Sequence, residues 1–263
     1  MKIIICDLDG TLYPKKNLSN KNQLQDNIGA VRKWKDAGNE FVVATARGMH
    51  HYEELVEKLG FKPNFIGSNG AEVIYTSGEV VLKQMPIQIY IDLCRFIEDN
   101  DYNASVATGL NDEWVWNTKD KYPIKDAEIY IPSWDYIKLY DKDIINSEDK
   151  IERIQIFVPK EIRDELKDEI LKLGYPVSIT CSDDDLIDIG PLNCSKGISI
   201  EEICHKYNIS KKDIIAMGDS HNDISMFKLA DRSYCIDHAE EEVKRNANYI
   251  VSSVAEAIDK ELS

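Results

Sequence analysis

Positive charge is scarce in this chain. Its 263 residues hold 32 Lys or Arg against 47 Asp or Glu, a formal net charge of −15. Such a surface repels phosphate backbones and anionic bilayers, which argues against nucleic-acid and membrane partners. Long apolar runs are missing too. None approaches the ~18 residues that span a bilayer, and charge arrives at Asp7, before a signal-like core could form. Cysteine is sparse and scattered. Cys6, Cys94, Cys181, Cys194, Cys204 and Cys235 make no CxxC pair and no Cys/His cluster, so zinc motifs are excluded. A reducing cytoplasm is the expected compartment. No internal repeat or low-complexity tract is present, which removes solenoid architectures.

What remains is ordinary for a globular chain: 43% hydrophobic and 30% charged residues. The length suits one large domain or two modest ones. The acid is unevenly spread. Between Met85 and Pro191 there are 24 Asp or Glu against 12 Lys or Arg, a net of −12, leaving −3 for everything else. This shift suggests an inserted domain.

The flanking segments alternate strand and helix. Ile3-Ile4-Ile5-Cys6 reads as a buried parallel strand, because both its faces are apolar. Ser19-Asn20 offers a cap for a helix to about Ala37 with Ile28, Val31, Trp34 and the Lys35 stem on its apolar stripe, and Gly38 ends it. Phe41-Val42-Val43-Ala44-Thr45, Phe65-Ile66-Gly67, Ile214-Ile215-Ala216-Met217, Tyr234-Cys235-Ile236 and Tyr249-Ile250-Val251 read as further strands, with helices between them. The middle breaks this rhythm. Pro86 is expected to open a helix to about Asp99, two short strands flank Gly109, and three more strands and a helix follow residue 153. Residues 118–150 show no clear pattern.

Polar residues gather at the strand ends. Asp7, Asp9 and Thr11 follow the first strand, Thr45 and Arg47 the second, and Asp219, Asn222 and Asp223 the strand at 214–217, while Lys196 opens a helix. In a parallel sheet these ends share one edge, where ligands bind. Asp7, Asp219 and Asp223 could supply the hard oxygens that Mg²⁺ takes. One carboxylate could attack phosphorus. Asp9, two residues on, could protonate the leaving oxygen and later deprotonate water. Thr45 and Lys196 could hold a phosphoryl group, with backbone N–H groups near Leu8, Asp9 and Ala46 completing a cradle.

This set resembles the haloacid-dehalogenase-like (HAD) hydrolases. Asp7-Leu8-Asp9-Gly10-Thr11 matches the first motif, Thr45 the second, Lys196 the third and Gly218-Asp219-Ser220-His221-Asn222-Asp223 the fourth, in the family's order and spacing. The insert after Asn69-Gly70-Ala71 resembles the type IIB cap of Cof-type phosphatases. The resemblance implies an α/β fold: a Rossmann-like parallel-sheet core at 1–84 and 191–263 with an inserted α+β cap at 85–190. It implies Asp7 as nucleophile and metal ligand, Asp9 as acid/base with its carbonyl on the metal, and Asp219 and Asp223 at Mg²⁺. Leu8, Thr11, Ala46, Arg47, Asn69, Gly70 and Asn222 would line the phosphate and substrate side. Where the family has Thr-Gly-Arg, this chain has Thr45-Ala46-Arg47, which tests how closely the backbone approaches phosphate. Ser68 stands where a second Asn is common. The substrate implied is a small phosphorylated metabolite, a sugar or polyol phosphate.

Two rivals stay open: a phosphomutase of related architecture, and a non-catalytic binding protein. The second predicts loss of Asp7, Asp9 or Lys196, and all three are present. Several features have two readings each. Trp114 and Trp116 are cap core or a stacking platform for a sugar. Asp183-Asp184-Asp185 is a solvated turn or a cation site. Arg47 is a surface ion pair or a substrate contact. Met85/Pro86 and Gly190/Pro191 are hinges or plain boundaries. His50, His51 and His221 read as solvated. Oligomeric state leaves no signature.

Overall fold

The first strand sets the architecture. In the computed structural model, which describes residues 1–15, 22–110, 113–118, 121, 137–139, 146 and 148–263, it pairs in parallel on both sides. The chain divides into two compact units, Met1–Leu82 with Cys194–Ser263, and Lys83–Asn193. The first begins with β1 (Ile3–Cys6), α1 (Gln23–Asp36), β2 (Glu40–Ala44), α2 (Tyr52–Leu59), β3 (Asn64–Gly67), β4 (Glu72–Ile74) and β5 (Val80–Leu82). The inserted unit holds β6 (Met85–Pro86), α3 (Gln88–Asp99), β7 (Ser105–Leu110), β8 (Glu113–Trp116), β9 (Ile137–Leu139), β10 (Lys150–Ile151), β11 (Ile154–Phe157), α4 (Lys160–Lys172), β12 (Val177–Asp183) and β13 (Leu186–Pro191). The first unit resumes with α5 (Lys196–Lys206), β14 (Ile214–Gly218), α6 (Ile224–Leu229), β15 (Arg232–Ile236), α7 (Glu241–Lys244), β16 (Tyr249–Val251) and α8 (Val254–Leu262).

The eight-stranded sheet of the first unit runs β16-β15-β14-β1-β2-β3-β4-β5. The strands from β16 to β3 are parallel, and the β4–β5 hairpin adds two antiparallel strands. Strand order reverses beside β1, so the ends of β14, β1 and β2 flank the crevice where such sheets bind ligands. Ile4 and Cys6 face Val31 and Trp34 of α1, Leu55 and Leu59 of α2, and Val254 and Ile258 of α8. Ile3 and Ile5 face Ile200 and Ile203 of α5 and Met226 and Phe227 of α6. Helices on both faces explain why β1 is apolar throughout.

Helix α1 departs from the expected stripe. Asn27, Ala30, Val31 and Trp34 are the buried set, at i, i+3, i+4 and i+7, with Ile28 only partly buried. Its expected Ser19-Asn20 cap lies outside the described residues. Cys6 is fully buried in the core, as a small hydrophobe.

In the inserted unit, a six-stranded sheet runs β12-β13-β11-β7-β8-β9, antiparallel except for β8 with β9. One apolar cluster joins its strands to Leu93 and Ile97 of α3 and Leu166 and Ile170 of α4. Three local expectations fail here. Pro86 does not open α3: Met85–Pro86 pairs with Lys150–Ile151, and the helix starts at Gln88. Gly109 is not the turn between two strands but lies inside β7, opposite Trp114. Gly190-Pro191 likewise sits in a paired strand, against Val177 and Ser178. No described helix is long and apolar enough to cross a membrane.

Candidate active site

The site grows from the end of β1. Asp7, 5% exposed, follows the last strand residue, and its N–H donates to the Met217 carbonyl of β14. Lys196, the first residue of α5, reaches back with a side chain that is 1% exposed. Its Nζ donates to Asp7 Oδ1 at 2.5 Å and to Asp223 Oδ1 at 2.7 Å. Burial pushes the Asp7 carboxyl well above its usual range, against the pull of Lys196, with Asp223 and Asp219 adding like-charge repulsion. Burial also works against the Lys196 charge, yet Asp223 and Asp7 hold its pKa above the ordinary lysine value. The ammonium therefore stays on. No described residue donates to Asp7 Oδ2.

Asp223 is buried and fully engaged. Its Oδ2 accepts the N–H groups of Asp219 at 2.9 Å and Ser220 at 3.0 Å, inside a capping box with the Ser220 side chain. This fixes the turn that presents Asp219. Asp219 is 4% exposed and is held from several sides. Thr11 Oγ1 donates to its Oδ1 at 2.7 Å, His238 Nε2 lies 3.0 Å from its Oδ2, and Lys15 Nζ lies 3.6 Å from that same oxygen. The loop after Asp7 wraps this carboxylate closely. Gly10 has φ +87°, and a Cβ there would sit 2.3 Å from Asp219 Oδ2. Only glycine meets both demands.

Ligand oxygens of Asp7, Asp219 and Asp223 lie within 4.8 Å of one another, and all three residues are buried. One buried ammonium and the half-exposed Lys15 leave this cluster short of positive charge. Asn222 Oδ1 is also buried without a donor among the described residues. Hard oxygens with excess negative charge fit a divalent cation such as Mg²⁺.

The other wall is the end of β2. Thr45, 1% exposed, takes the Arg47 N–H on its Oγ1 at 3.1 Å and the Asn69 N–H on its carbonyl at 3.0 Å. Ala46 does not adopt a positive φ, so the family's glycine is not required there on conformational grounds. Arg47 grips Asp9 with two hydrogen bonds, from Nε at 2.7 Å and Nη2 at 2.6 Å. Of its two readings the ion pair is the one formed, and its partner is Asp9. Ser68, Asn69 and Gly70 are left-handed in succession, with φ of 46°, 53° and 106°. A non-glycine residue there costs about 1–2 kcal/mol. The strain is held by Glu72, which accepts from the Ser68 hydroxyl at 2.9 Å and from the Met49 N–H. Asn222 Nδ2 donates to Asn69 Oδ1 at 3.0 Å, and Ser199 Oγ to the Gly70 carbonyl at 2.8 Å.

Asp7, Thr11, Lys196, Asp219 and Asp223 are thus joined by direct hydrogen bonds, and Thr45, Asn69 and Asn222 by a second set, while the Gly70 carbonyl is held separately by Ser199. The Leu8 side chain belongs to the apolar core, so only its backbone could serve a ligand. Lys15, Asn27, Glu72 and His238 escaped the sequence reading. Only Asn27 leaves a trace there, as a polar residue on the apolar stripe of a helix. In the inserted unit, Trp116 is 1% exposed and stacks on Phe157, and Trp114 lies under the Arg153 guanidinium. Their burial agrees with the core reading. Asp184 is exposed and paired with Lys160, as a solvated turn would be. His221 is partly exposed beside Glu240.

Comparison with known proteins agrees with the motifs. A family model described as haloacid dehalogenase-like hydrolase matches residues 4–260. A Bacillus subtilis protein named 5-amino-6-(5-phospho-D-ribitylamino)uracil phosphatase YcsE is 27% identical over 96% of this chain and 90% of its own length. A phosphoglycolate phosphatase of Methanobrevibacter smithii is 24% identical over 98% of this chain and 97% of its own. Among solved structures, a haloacid dehalogenase-like hydrolase from Bacteroides thetaiotaomicron superimposes with a TM-score of 0.79 at 22% identity, covering 99% of both chains. The fold, the four motifs and the whole-length match agree that this chain belongs to the haloacid dehalogenase-like hydrolase family, as an enzyme of phosphatase type.

Proposed function

We propose that this enzyme hydrolyses a small phosphomonoester, with Mg²⁺, through a phosphorylated Asp7. The observation that carries the reading is Lys196, whose buried ammonium bridges Asp7 Oδ1 and Asp223 Oδ1. It keeps one Asp7 oxygen occupied and leaves Oδ2 to attack. A lone pair on Oδ2 forms a bond to phosphorus, and the bond from phosphorus to the leaving oxygen breaks. Asp9, in its acid form, gives that oxygen its proton. Asp9 then takes a proton from water, the water oxygen bonds to phosphorus, and the Asp7–phosphorus bond breaks to release inorganic phosphate.

The remaining residues hold charge and position. Lys196 and the Thr45 hydroxyl serve the phosphoryl oxygens, with N–H groups of Leu8, Asp9 and Ala46. Asp7, Asp219 and the Asp9 carbonyl would hold Mg²⁺. Asp223, whose oxygens are already engaged, orients the Asp219 turn and adds its charge. Bound there, Mg²⁺ supplies neutralisation of the phosphoryl group and of the acids around it. Asn69, Gly70 and Asn222 shape the phosphate side. Arg47 holds Asp9 until the substrate competes for its guanidinium.

The leaving group is a sugar or polyol, chosen by the inserted unit acting as a cap. The ribityl phosphate in the name of the Bacillus subtilis relative is a polyol phosphate, which supports this class. The acidity of the insert disfavours strongly anionic leaving groups. The protein acts in the cytoplasm, on a metabolite and not on nucleic acid.

The test is a phosphate-release screen of the purified protein over phosphorylated metabolites with Mg²⁺. Release that vanishes in Asp7→Asn and in excess EDTA is expected. Product isomerised without phosphate release would make it a mutase. No release from any ester would favour a binding role.

A further inference from the structure

Asn27 is the polar residue that the catalytic reading leaves unused. It sits in α1 with 0% exposure, among apolar side chains. A buried amide in such a place is costly unless satisfied. Its Nδ2 donates to the Leu12 carbonyl at 3.1 Å and to the Thr11 carbonyl at 3.4 Å. Its Oδ1 accepts the Ala255 N–H at 3.0 Å. That N–H lies in the first turn of α8, where no intrahelical acceptor exists. One side chain therefore fastens the loop after the nucleophile to a helix at the far end of the chain.

The loop it fastens is the one that wraps Asp219. The Leu12 N–H donates to the Asp7 carbonyl and the Tyr13 N–H to the Leu8 carbonyl, closing a tight loop. The Thr11 hydroxyl points the other way, onto Asp219 Oδ1 at 2.7 Å. Thr11 is thus held by its carbonyl from Asn27 while it holds Asp219 by its hydroxyl. A shift of the Thr11 backbone would move the hydroxyl, and Asp219 would lose a restraint on one oxygen.

We infer that Asn27 is a positioning residue: it sets the Thr11 segment, and through it Asp219, against Asp7. The inference rests on the proposed roles of Asp7 and Asp219, but its structural half does not. An orienting partner removed from around a metal ligand costs about 10–100-fold in affinity, and misplacement near the chemistry costs up to about 100-fold in rate.

The experiment compares Asn27→Ala with Ser253→Ala. Ser253 caps the same α8 through the Glu256 N–H and has no hydrogen bond to a described residue of the loop, so it controls for simple destabilisation. Three quantities are read: Mg²⁺ affinity by calorimetry, kcat and KM on the best substrate of the screen, and amide exchange at Leu12 and Tyr13. In Asn27→Ala, Mg²⁺ affinity and kcat each fall about tenfold, KM changes little, and both amides exchange at least about tenfold faster. Ser253→Ala shifts none of these. If the two variants behave alike, Asn27 is merely structural and the inference is overturned.

If Asn27→Ala does not fold, Ala255→Pro answers instead. It removes the N–H that Asn27 Oδ1 accepts, in a first turn where that N–H has no intrahelical acceptor to lose. The same shifts in smaller size support the inference, and their absence overturns it. If the wild-type protein releases no phosphate, the functional proposal fails while the exchange comparison still decides the role of Asn27.

Discussion

Replacing Lys196 by Met tests the centre of the site. Methionine keeps the length and most of the volume of the lysine stem, so little cavity is made. What disappears is a charge 2.5 Å from Asp7 Oδ1 and 2.7 Å from Asp223 Oδ1, in a side chain with no exposure. At an effective dielectric of about 20, each contact is an attraction of roughly 6 kcal/mol. The desolvation that Lys196 no longer suffers offsets several kcal/mol of that. Two buried carboxylates remain facing each other, and the net loss for breaking such an arrangement is about 3–5 kcal/mol. In EDTA the melting temperature should fall by roughly 10 °C, read by calorimetry. Activity should fall about 100- to 1000-fold, the usual cost of removing one preorganised charge stabiliser. Lys196→Arg should not rescue it, because the planar guanidinium does not fit a fully buried slot built for an ammonium. A variant that melts within about 2 °C of wild type, or keeps most of its kcat, would refute the assignment of Lys196 as the bridge.

Asp9→Asn should slow turnover at least about 100-fold and accumulate phosphoenzyme, read as a burst of leaving group; a full steady rate would remove Asp9 from the chemistry. Gly70→Ala should destabilise the protein by about 2 kcal/mol or more, because φ is +106° and the new Cβ would stand 2.4 Å from the Ser195 carbonyl oxygen. The urea midpoint checks it, and an unchanged midpoint would mean that the loop relaxes freely. Glu256→Gln should cost up to about 1 kcal/mol at neutral pH, a small figure because the pair is solvent-screened. The Ser252 backbone N–H, then Lys260 and the Ser252 hydroxyl, hold the Glu256 carboxyl down to about 2. Its folded pKa lies below its unfolded one, so the contribution is complete above about 4.5 and disappears as pH falls towards 2. Unfolding titrations at pH 7 and pH 2 should show the variant's deficit only at pH 7.

The parallel strands were legible because each is a short apolar run bounded by polar residues or glycine. Helices on both faces produce that signal without ambiguity. The four motifs were legible for a related reason: each sits immediately beyond a strand or at a helix start, so local order predicted a shared edge. Contacts between distant segments were not. Pro86 looked like a helix opener because its partner Lys150 lies far along the chain. Gly109 looked like a turn, yet a strand accepts it where the ladder continues on both sides. Arg47 could not be matched with Asp9, since nothing local marks which carboxylate a guanidinium will take. Asn27 was hidden by its own surroundings: the α1 stripe was read from Ile28, Val31, Trp34 and Lys35, although the amide shares the buried face with Ala30, Val31 and Trp34.

The central place of β1 also constrains how the protein is made. Its neighbour β14 emerges roughly 200 residues later in the chain. At about 5–20 residues per second, the ribosome delivers it some 10–40 s after β1. Until then one flank of β1 has no partner and exposes apolar side chains that can pair wrongly. The inserted unit, continuous from Lys83 to Asn193, needs nothing from the later segment to close its own sheet and can fold in that interval. The expected order of birth is therefore inserted unit first and the eight-stranded sheet last. Pulse proteolysis of ribosome-stalled chains would show Lys83–Asn193 protected while residues 1–82 are still cut. No fragment released early would carry Asp7 together with Lys196 and Asp219, so an interrupted chain would lack the buried cluster altogether.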